Sequence, residues 1–293
     1  MISKIKDQID PNASIYSYPV FPDAIIMFRN AAWKYPVKKI IKIGLTHGAY
    51  SFKRTPKSYY YNMFDLFLMT SEADVLRSRE KGVYTTKTIG YPKSDTLLDD
   101  TYNKDILTEL RTKINLNVKK LTLLFTATWD GSGMSAIDKW FNRLPDLYDN
   151  YNILVNLHHK MSLYYINYLR SLPGIYFIDQ LDIYPYLLIS DVCISDTSSL
   201  IAEFCVADKP IVTFTVRKTD RTTDDISSII DKVSVSIDNF EQLPAAINES
   251  IAKKKEMSII RKQIANMLIS PLDGKAGFRA ANEITKLIPD LKK

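Results

Sequence analysis

Cysteine and long apolar runs are scarce in this sequence. Its 293 residues include two cysteines, Cys193 and Cys205, each inside an apolar segment. There they are typical of small buried side chains rather than of a disulfide. No apolar run approaches the roughly 20 residues of a membrane span, and residues 1–6 lack the hydrophobic core of a secretory signal. We therefore expect a cytoplasmic protein.

The motifs of several well-known sites are also absent. The chain has no Gly-x-Gly-x-x-Gly, no P-loop and no Gly-x-Ser-x-Gly elbow, which disfavours dinucleotide, P-loop and nucleophilic hydrolase chemistry. No paired cysteines, His-x-x-x-His spacing or aspartate series indicates a metal site. We expect no metal and no cofactor.

The charge balance indicates an anionic partner. The formal net charge is +6 and the pI is near 9.0, but the basic residues are scattered and no nucleic-acid-binding signature is present. We therefore expect no nucleic acid. The densest basic cluster, Lys253–Lys255 with Arg261 and Lys262, lies on a predicted helix and fits either an acidic lipid surface or a solvated face.

Strand and helix patterns alternate along most of the chain, which predicts an α/β fold with mostly parallel sheets. Predicted strands lie at 15–20, 40–46, 64–70, 87–89, 121–126, 152–157, 175–178, 191–195, 210–214 and 232–236. Predicted helices lie at 23–34, 72–81, 101–115, 134–147, 162–171, 183–189, 199–206, 240–254, 257–267 and 277–287. A turn-like stretch at 115–120 separates two Rossmann-sized units. We predict domains at 1–116 and 117–270, and a C-terminal helix within 271–293.

All three histidines follow predicted parallel strands directly. His47 follows the strand at 40–46, and His158 and His159 follow the strand at 152–157. Ligands bind at this edge of open α/β sheets, and histidine moves protons near neutral pH. A histidine at a strand end also caps turns or bonds carbonyls. For three together we favour a catalytic interpretation.

A second candidate is the turn that follows the strand at 191–195. Asp196 ends the apolar run, and the hydroxyls of Ser198 and Ser199 precede a helix. Free N–H groups and hydroxyls at such a turn suit a phosphate, although Asp196 or Ser198 fits a plain N-cap equally well. Weaker signals are two other strand-end turns, at 90–95 and at 126–133.

In this order, these segments resemble the CDP-glycerol glycerophosphotransferase family, which builds teichoic-acid-type polyol phosphates. The motifs that carry the resemblance are His47-Gly48-Ala49, Gly90-Tyr91-Pro92-Lys93-Ser94-Asp95, Ala127-Thr128-Trp129-Asp130, Asn156-Leu157-His158-His159, Ser195-Asp196-Thr197-Ser198-Ser199 and Asp273-Gly274-Lys275-Ala276. They span roughly residues 40–285. Lys93 replaces an arginine of the family pattern, while Asp130, Asn156 and His159 replace an arginine, a lysine and a proline.

The resemblance implies a GT-B architecture, two Rossmann-like domains that face each other across a cleft. It implies that His47 is the general base on the acceptor hydroxyl and that His158 stabilises the donor phosphate. Ser198 and Ser199 would hold the diphosphate, and Asp196 would shape the turn. The further substrate-binding residues that we predict are Gly48, Lys93, Asp95 and Thr128.

The expected function is transfer of a glycerol-phosphate or ribitol-phosphate unit from a CDP-activated donor to a hydroxyl of a cell-surface polymer or glycan. The family's lipid-linked or membrane-near acceptors would place the protein on the inner face of the membrane. Two alternatives stay open at this point. One is a GT-B glycosyltransferase or nucleotide-sugar epimerase, and the other is a non-catalytic scaffold in a polymer-assembly complex.

Overall fold

Two parallel β-sheets form the centre of the structure, a computed structural model that describes residues 22–28, 31–49, 58–218 and 224–288. The strands are β1 Ala24–Met27, β2 Ile41–Leu45, β3 Leu66–Met69, β4 Thr86–Thr88, β5 Leu121–Ala127, β6 Tyr151–Leu157, β7 Ile175–Phe177, β8 Val192–Ser195, β9 Ile211–Phe214 and β10 Val235–Ile237. The α-helices are α1 Ser58–Tyr61, α2 Glu72–Glu80, α3 Lys104–Lys113, α4 Leu163–Ser171, α5 Tyr184–Ile189, α6 Leu200–Val206, α7 Asp224–Val233, α8 Leu243–Ala252, α9 Lys254–Leu268 and α10 Ala276–Leu287. Short 3-10 helices lie at Ala32–Lys34, Pro92–Leu97, Asp100–Tyr102, Asp130–Ser132, Ile137–Lys139, Leu144–Leu147 and Phe240–Gln242.

The larger sheet has the strand order β10-β9-β8-β5-β6-β7, and every pair in it is parallel. After β5 the chain adds strands on one side, and from β8 onward it adds them on the other. The strand order therefore reverses between β5 and β8, where open α/β sheets form a ligand crevice at the carboxyl ends. Both the β5 end and the β8 end carry predicted site residues.

Alternate residues of the central strands enter two different cores. Leu124 of β5 and Cys193 of β8 pack on one face of the larger sheet, while Phe125 and Ile194 pack on the other. Helices cover both faces, so these strands are apolar at nearly every position, as parallel strands usually are. Cys193 and Cys205 are both buried, free thiols, as the sequence predicted.

The smaller sheet has the order β1-β2-β3-β4, again all parallel. One of its faces packs on Ala280 and Ile284 of α10, the last of the described helices. Conversely, α3 follows the smaller sheet in sequence but lies against the core of the larger one. Arg111 of α3 donates to the carbonyl of Ile189 there at 2.7 Å. Two helices therefore cross between the sheets and tie them together.

The sequence-based strands from residue 40 to residue 214 are confirmed to within two residues at each end. The predicted helix at 23–34 is wrong, because Ala24–Met27 is a strand paired with β2. The predicted helix at 134–147 is also wrong, since only two 3-10 turns form there. Pro145 lacks an N–H to continue a helix, and Ala136 gives its N–H to Asp196 at 2.9 Å.

The prediction near residue 232 is corrected too, because helix α7 extends through Val233 and only Val235–Ile237 is strand. The predicted strand at 15–20 lies outside the described residues. No helix in the described ranges combines the length and the hydropathy that a membrane span requires.

Arg261 is a buried residue of α9, although the sequence analysis placed it in an exposed basic cluster. Its side chain is 0% exposed, and its Nε and Nη2 lie 2.8 and 2.7 Å from Oδ1 of Asp208. Ser258 also donates to Asp208, at 2.6 Å. Burial alone would raise the pKa of Asp208, but these donors hold it below its usual value. The pair fixes α9 against the end of α6.

We expect Arg261→Leu to lower the free energy of unfolding by about 3 kcal/mol, because it leaves a partly buried carboxylate without its main partner. Lys262→Leu is the matched control. Its Nζ lies 4.0 Å from the same carboxylate but its side chain is 68% exposed, so we expect at most about 0.5 kcal/mol. Urea unfolding measures both. Equal losses in the two variants would contradict the role given to Arg261.

Candidate active site

The two sheets bring their predicted site residues together at their carboxyl ends. His47 and Gly48 follow β2 of the smaller sheet, and Ser199 precedes α6 of the larger one. A Cβ atom built on Gly48 would lie 3.4 Å from Oγ and 3.5 Å from Cβ of Ser199. These are ordinary van der Waals distances, so the backbone at Gly48 lies close to the Ser199 side chain. The two halves therefore approach each other at this point.

His158 lies at the end of β6 and is half-buried. Its Nδ1 accepts the backbone N–H of Lys160 at 3.1 Å, so the neutral ring carries its proton on Nε2. Burial lowers the pKa of His158 to about 4, and the positive charges of His159, Lys160 and His47 add to this effect. At neutral pH the ring is therefore uncharged and can donate a hydrogen bond. It is close enough to His47 for the two side chains to interact electrostatically.

The carboxylate of Asp196 joins two loops at the point where the strand order reverses. It is 1% exposed and accepts the N–H of Thr128 at 3.0 Å, the hydroxyl of Thr128 at 2.8 Å and the N–H of Ala136 at 2.9 Å. Thr128 was a predicted substrate-binding residue, yet both its N–H and its hydroxyl bond to Asp196. The pair holds the loop after β5 and the turn after β8 together beside the site.

Ser198 and Ser199 occupy different places in the turn before α6. The Oγ of Ser198 accepts the N–H of Leu200 at 3.3 Å, which is the local capping role that the sequence left open. Ser199 makes no side-chain capping bond and lies against Gly48 instead. Of the two hydroxyls, that of Ser199 is the one placed where the two halves meet.

Lys93 contacts the opposite half of the molecule through a buried carboxylate. Its Nζ lies 3.6 Å from Oε1 of Glu203 and 4.7 Å from the ring centre of Tyr184. The hydroxyl of Tyr184 donates to Glu203 at 3.2 Å. Burial raises the pKa of Glu203, and the charge of Lys93 opposes that rise. Lys93 therefore serves first as the counter-ion of a buried acid, which the sequence reasoning did not foresee.

Glu203 and Tyr91 contact candidate site residues, and the sequence did not single them out as candidates. Glu203 is the one charged residue in the otherwise apolar helix α6, and that isolation was the available signal. Tyr91 is buried, which raises the pKa of its hydroxyl, and it donates to the carbonyl of His47 at 3.2 Å. Through this hydrogen bond, the turn at 90–95 fixes the position of the His47 backbone.

Asp95 stands apart from the cleft residues. Its two carboxylate oxygens accept the N–H groups of Ala276 and Gly277, at 3.1 and 2.8 Å. These N–H groups open α10 and have no partner within the helix. Asp95 was predicted to bind substrate, but in the structure it caps α10 and ties the turn at 90–95 to the end of the chain.

Two cavities open beside these residues. One of about 230 Å³ borders Asp196 and Thr197 and is lined further by Arg217 and Lys218. The other, of about 300 Å³, lies beside Lys93. In the described ranges, no three His, Cys, Asp or Glu side chains cluster in a way that would hold a metal ion.

We expect His158 to stay neutral well below the ordinary range of histidine. The unfolded chain protonates it near 6.5 and the folded chain near 4, so the unfolded state binds more protons between these values. The free energy of unfolding should therefore fall as the pH drops through this window. An NMR titration of the imidazole nitrogens and urea unfolding at several pH values measure both effects.

The His158→Gln variant is the control for this pH dependence, because it removes the titrating group while it keeps a polar side chain. Its stability should change less with pH between about 6.5 and about 4 than that of the wild type. A titration midpoint near 6.5 for His158 in the folded protein would show that its environment is not the one described.

Comparison with known proteins identifies the family of this chain. A family model described as CDP-Glycerol:Poly(glycerophosphate) glycerophosphotransferase matches residues 39–283. The teichoic acid ribitol-phosphate polymerase TarK of Staphylococcus aureus is 29% identical over 204 residues, which are 60% of this chain and 39% of that protein. The teichoic acid poly(glycerol phosphate) polymerase of Staphylococcus epidermidis is 29% identical over 135 residues, 42% of this chain and 18% of that protein. The chain thus spans well under half the length of these curated relatives.

Solved structures show the fold. A structure of the wall teichoic acid polymerase TagF superimposes with a TM-score of 0.68 at 20% identity, and the match covers 88% of this chain and 70% of that one. A UDP-GlcNAc 2-epimerase from Neisseria meningitidis gives a TM-score of 0.61 at 15% identity, over 90% of this chain and 76% of that one. The predicted GT-B arrangement of two Rossmann-like units is confirmed. Since the family model covers most of the sequence, this chain belongs to the CDP-glycerol:poly(glycerophosphate) glycerophosphotransferase family.

Proposed function

We propose that this protein transfers a glycerol-phosphate or ribitol-phosphate unit from a CDP-activated donor to a hydroxyl of a polyol-phosphate or glycan acceptor. Family membership supports the reaction class. The relatives act, by name, on both ribitol phosphate and glycerol phosphate, so both donors fit. The observation that carries the proposal is the close approach of Gly48 to Ser199, because it brings the strand end that carries His47 near the hydroxyl of Ser199.

The reaction needs a base, an electrophilic phosphorus and a leaving group. The acceptor oxygen attacks the phosphorus that carries the polyol, a new O–P bond forms, and the bond from that phosphorus to the bridging oxygen of the diphosphate breaks. CMP leaves with the electron pair of that bond, and the acceptor proton passes to His47. His47 is exposed at the end of β2, which leaves its ring open to an incoming hydroxyl.

Charge stabilisation is the other requirement, since phosphoryl-type transfer relies mostly on positioning and electrostatics. His158 supplies a neutral Nε2–H donor, and Ser199 supplies a hydroxyl that no helix cap uses. Donors fixed in place before the reaction cost little reorganisation as charge develops, and removal of one typically costs about 3 kcal/mol in the barrier. Four further residues keep these donors in position because they hold the loops and helix α6, namely Ser198, Asp196, Thr128 and Lys93.

The test is release of CMP from CDP-glycerol or CDP-ribitol in the presence of an acceptor oligomer. Wild type should release CMP, and His47→Ala should lose at least about a hundredfold in rate, as expected for a general base, while it still binds the donor. Ser94→Ala, a buried position of the same turn as Tyr91, controls for indirect effects on the fold.

Other outcomes separate the alternatives. Thermal stabilisation by UDP-sugars but not by CDP-polyols would favour the nucleotide-sugar enzyme. Absence of CMP release with either donor, in a protein that still binds the acceptor, would favour the scaffold. Full activity in His47→Ala would remove the base role from His47.

We further propose that the acceptor is lipid-linked and that the protein works in the cytoplasm on the inner face of the membrane. Exposed lysines on α9 support this, namely Lys254, Lys255 and Lys262. Polybasic surfaces gain about 1 kcal/mol per lysine near anionic lipid. Arg261 contributes nothing here because it is buried.

Flotation with phosphatidylserine vesicles tests this placement. Binding should weaken as salt rises, and replacing Lys254, Lys255 and Lys262 with Gln should reduce it roughly tenfold or more. A triple Gln variant of the exposed lysines Lys104, Lys113 and Lys119 matches the change in net charge. Equal loss in both variants, or no binding by wild type, would contradict the membrane placement.

A further inference from the structure

The turn that holds His158 also carries an exposed ammonium group. Lys160 lies two residues after His158, and its backbone N–H donates to the histidine Nδ1 at 3.1 Å. The carbonyl of His158 accepts the N–H of Met161 at 2.8 Å, which closes the turn. Because one short turn sets both side chains, the place of the Lys160 ammonium is coupled to that of the His158 ring.

A second loop lies against this turn and gives Lys160 a surface to pack on. The Nζ of Lys160 lies 5.6 Å from the ring centre of Trp129, within the range of a cation–π contact. Asp130, the next residue, accepts the N–H of Ser162 at 3.0 Å and also its hydroxyl. A Cβ on Gly131 would lie 2.4 Å from the indole ring, so glycine lets Trp129 fold back over its own loop.

The carboxylates near Lys160 are already engaged by other groups. Burial alone would raise the pKa of Asp130, but the hydrogen bonds that it accepts from Ser162 hold that pKa below its usual value. Asp196 binds Thr128 and Ala136. Among the ion pairs found in the described ranges, none includes Lys160.

Lys93 differs from Lys160 because it has a carboxylate partner within the protein. It also stands at the strand-end edge, but its ammonium faces the buried carboxylate of Glu203 at 3.6 Å. The charge of Lys93 is therefore largely balanced within the protein. The charge of Lys160 is felt instead by His158, whose pKa it helps to lower. An anion beside His158 would therefore lie within the field of Lys160.

We propose that Lys160 binds a phosphate group of the polyol-phosphate substrate, beside the Nε2–H of His158. This inference rests on the proposed function. A neutral donor gives direction to the bond, and an ammonium gives charge without a fixed geometry. The indole of Trp129 limits the rotamers of the lysine before the ligand arrives, so less conformational entropy is lost on binding.

Phosphate reaches this site from two sources, the diphosphate of the donor and the phosphodiester of the acceptor polymer. Isothermal titration calorimetry with CDP-glycerol, CMP, a glycerol-phosphate oligomer and inorganic pyrophosphate separates them. The variants are Lys160→Ala, Lys160→Arg and the control Lys119→Ala. Lys119 is an exposed lysine in the turn before β5, at the end of that strand opposite to the loop of Trp129.

We expect Lys160→Ala to weaken at least one phosphate probe roughly tenfold or more, as for a hydrogen bond to a charged group. Lys160→Arg should recover most of this, and Lys119→Ala should bind like wild type. Weaker binding of CDP-glycerol assigns the site to the donor, and weaker binding of the oligomer assigns it to the acceptor. A smaller salt dependence in Lys160→Ala is the second expected sign.

Unchanged affinity of Lys160→Ala for all four probes would overturn the proposal, as would an equal loss in Lys119→Ala. These affinity measurements do not require the enzyme to turn over. If wild type binds pyrophosphate but no CDP-polyol, the proposed function fails while the role of Lys160 is still measured with pyrophosphate. If wild type binds none of the probes, both proposals are contradicted.

Discussion

The buried carboxylate of Asp196 is the interaction on which the site depends. It lies where the strand order of the larger sheet reverses, and it accepts hydrogen bonds from Thr128 and Ala136 of the loop after β5. A carboxylate that is 1% exposed is tolerated only when its oxygens are bonded in this way. Its bonds therefore determine where the turn after β8 lies, and with it Ser199.

From that turn, helix α6 receives the contacts of the smaller sheet. Gly48 approaches Ser199 at the start of the helix, and Lys93 reaches Glu203 one turn further along. Glu203 is 5% exposed, so its charge is favourable only while a cation from the other half stays beside it. If the two halves separated, His47 would move away from Ser199, and Glu203 would lose the cation beside it. Assembly of the site and docking of the two halves are thus one event.

The sequence could predict the strands and the position of the histidines, because apolar runs that end at polar residues follow directly from burial on both faces of a parallel sheet. It could not predict the role of Asp95, since the carboxylate caps a helix that begins 181 residues later. Nor could it predict the strand at Ala24–Met27, whose pairing with β2 outweighs a local pattern that favoured a helix. The pairing of Lys93 with Glu203 is invisible for the same reason, as it depends on how two separate sheets face each other.

The structure shows what Lys93, Asp130 and Asn156 contact at the three positions where the family pattern has an arginine or a lysine. Lys93 is committed to Glu203, Asp130 is committed to Ser162, and Asn156 of β6 lies opposite Thr126 of β5. Of the three, Lys93 keeps a cation, and its side chain is 43% exposed. In the proposals made above, anion binding at this edge combines the neutral donors His158 and Ser199 with the ammonium group of Lys160. Many other contacts at the site, from Tyr91 on His47 to Asp196 on Thr128, position backbone rather than supply charge.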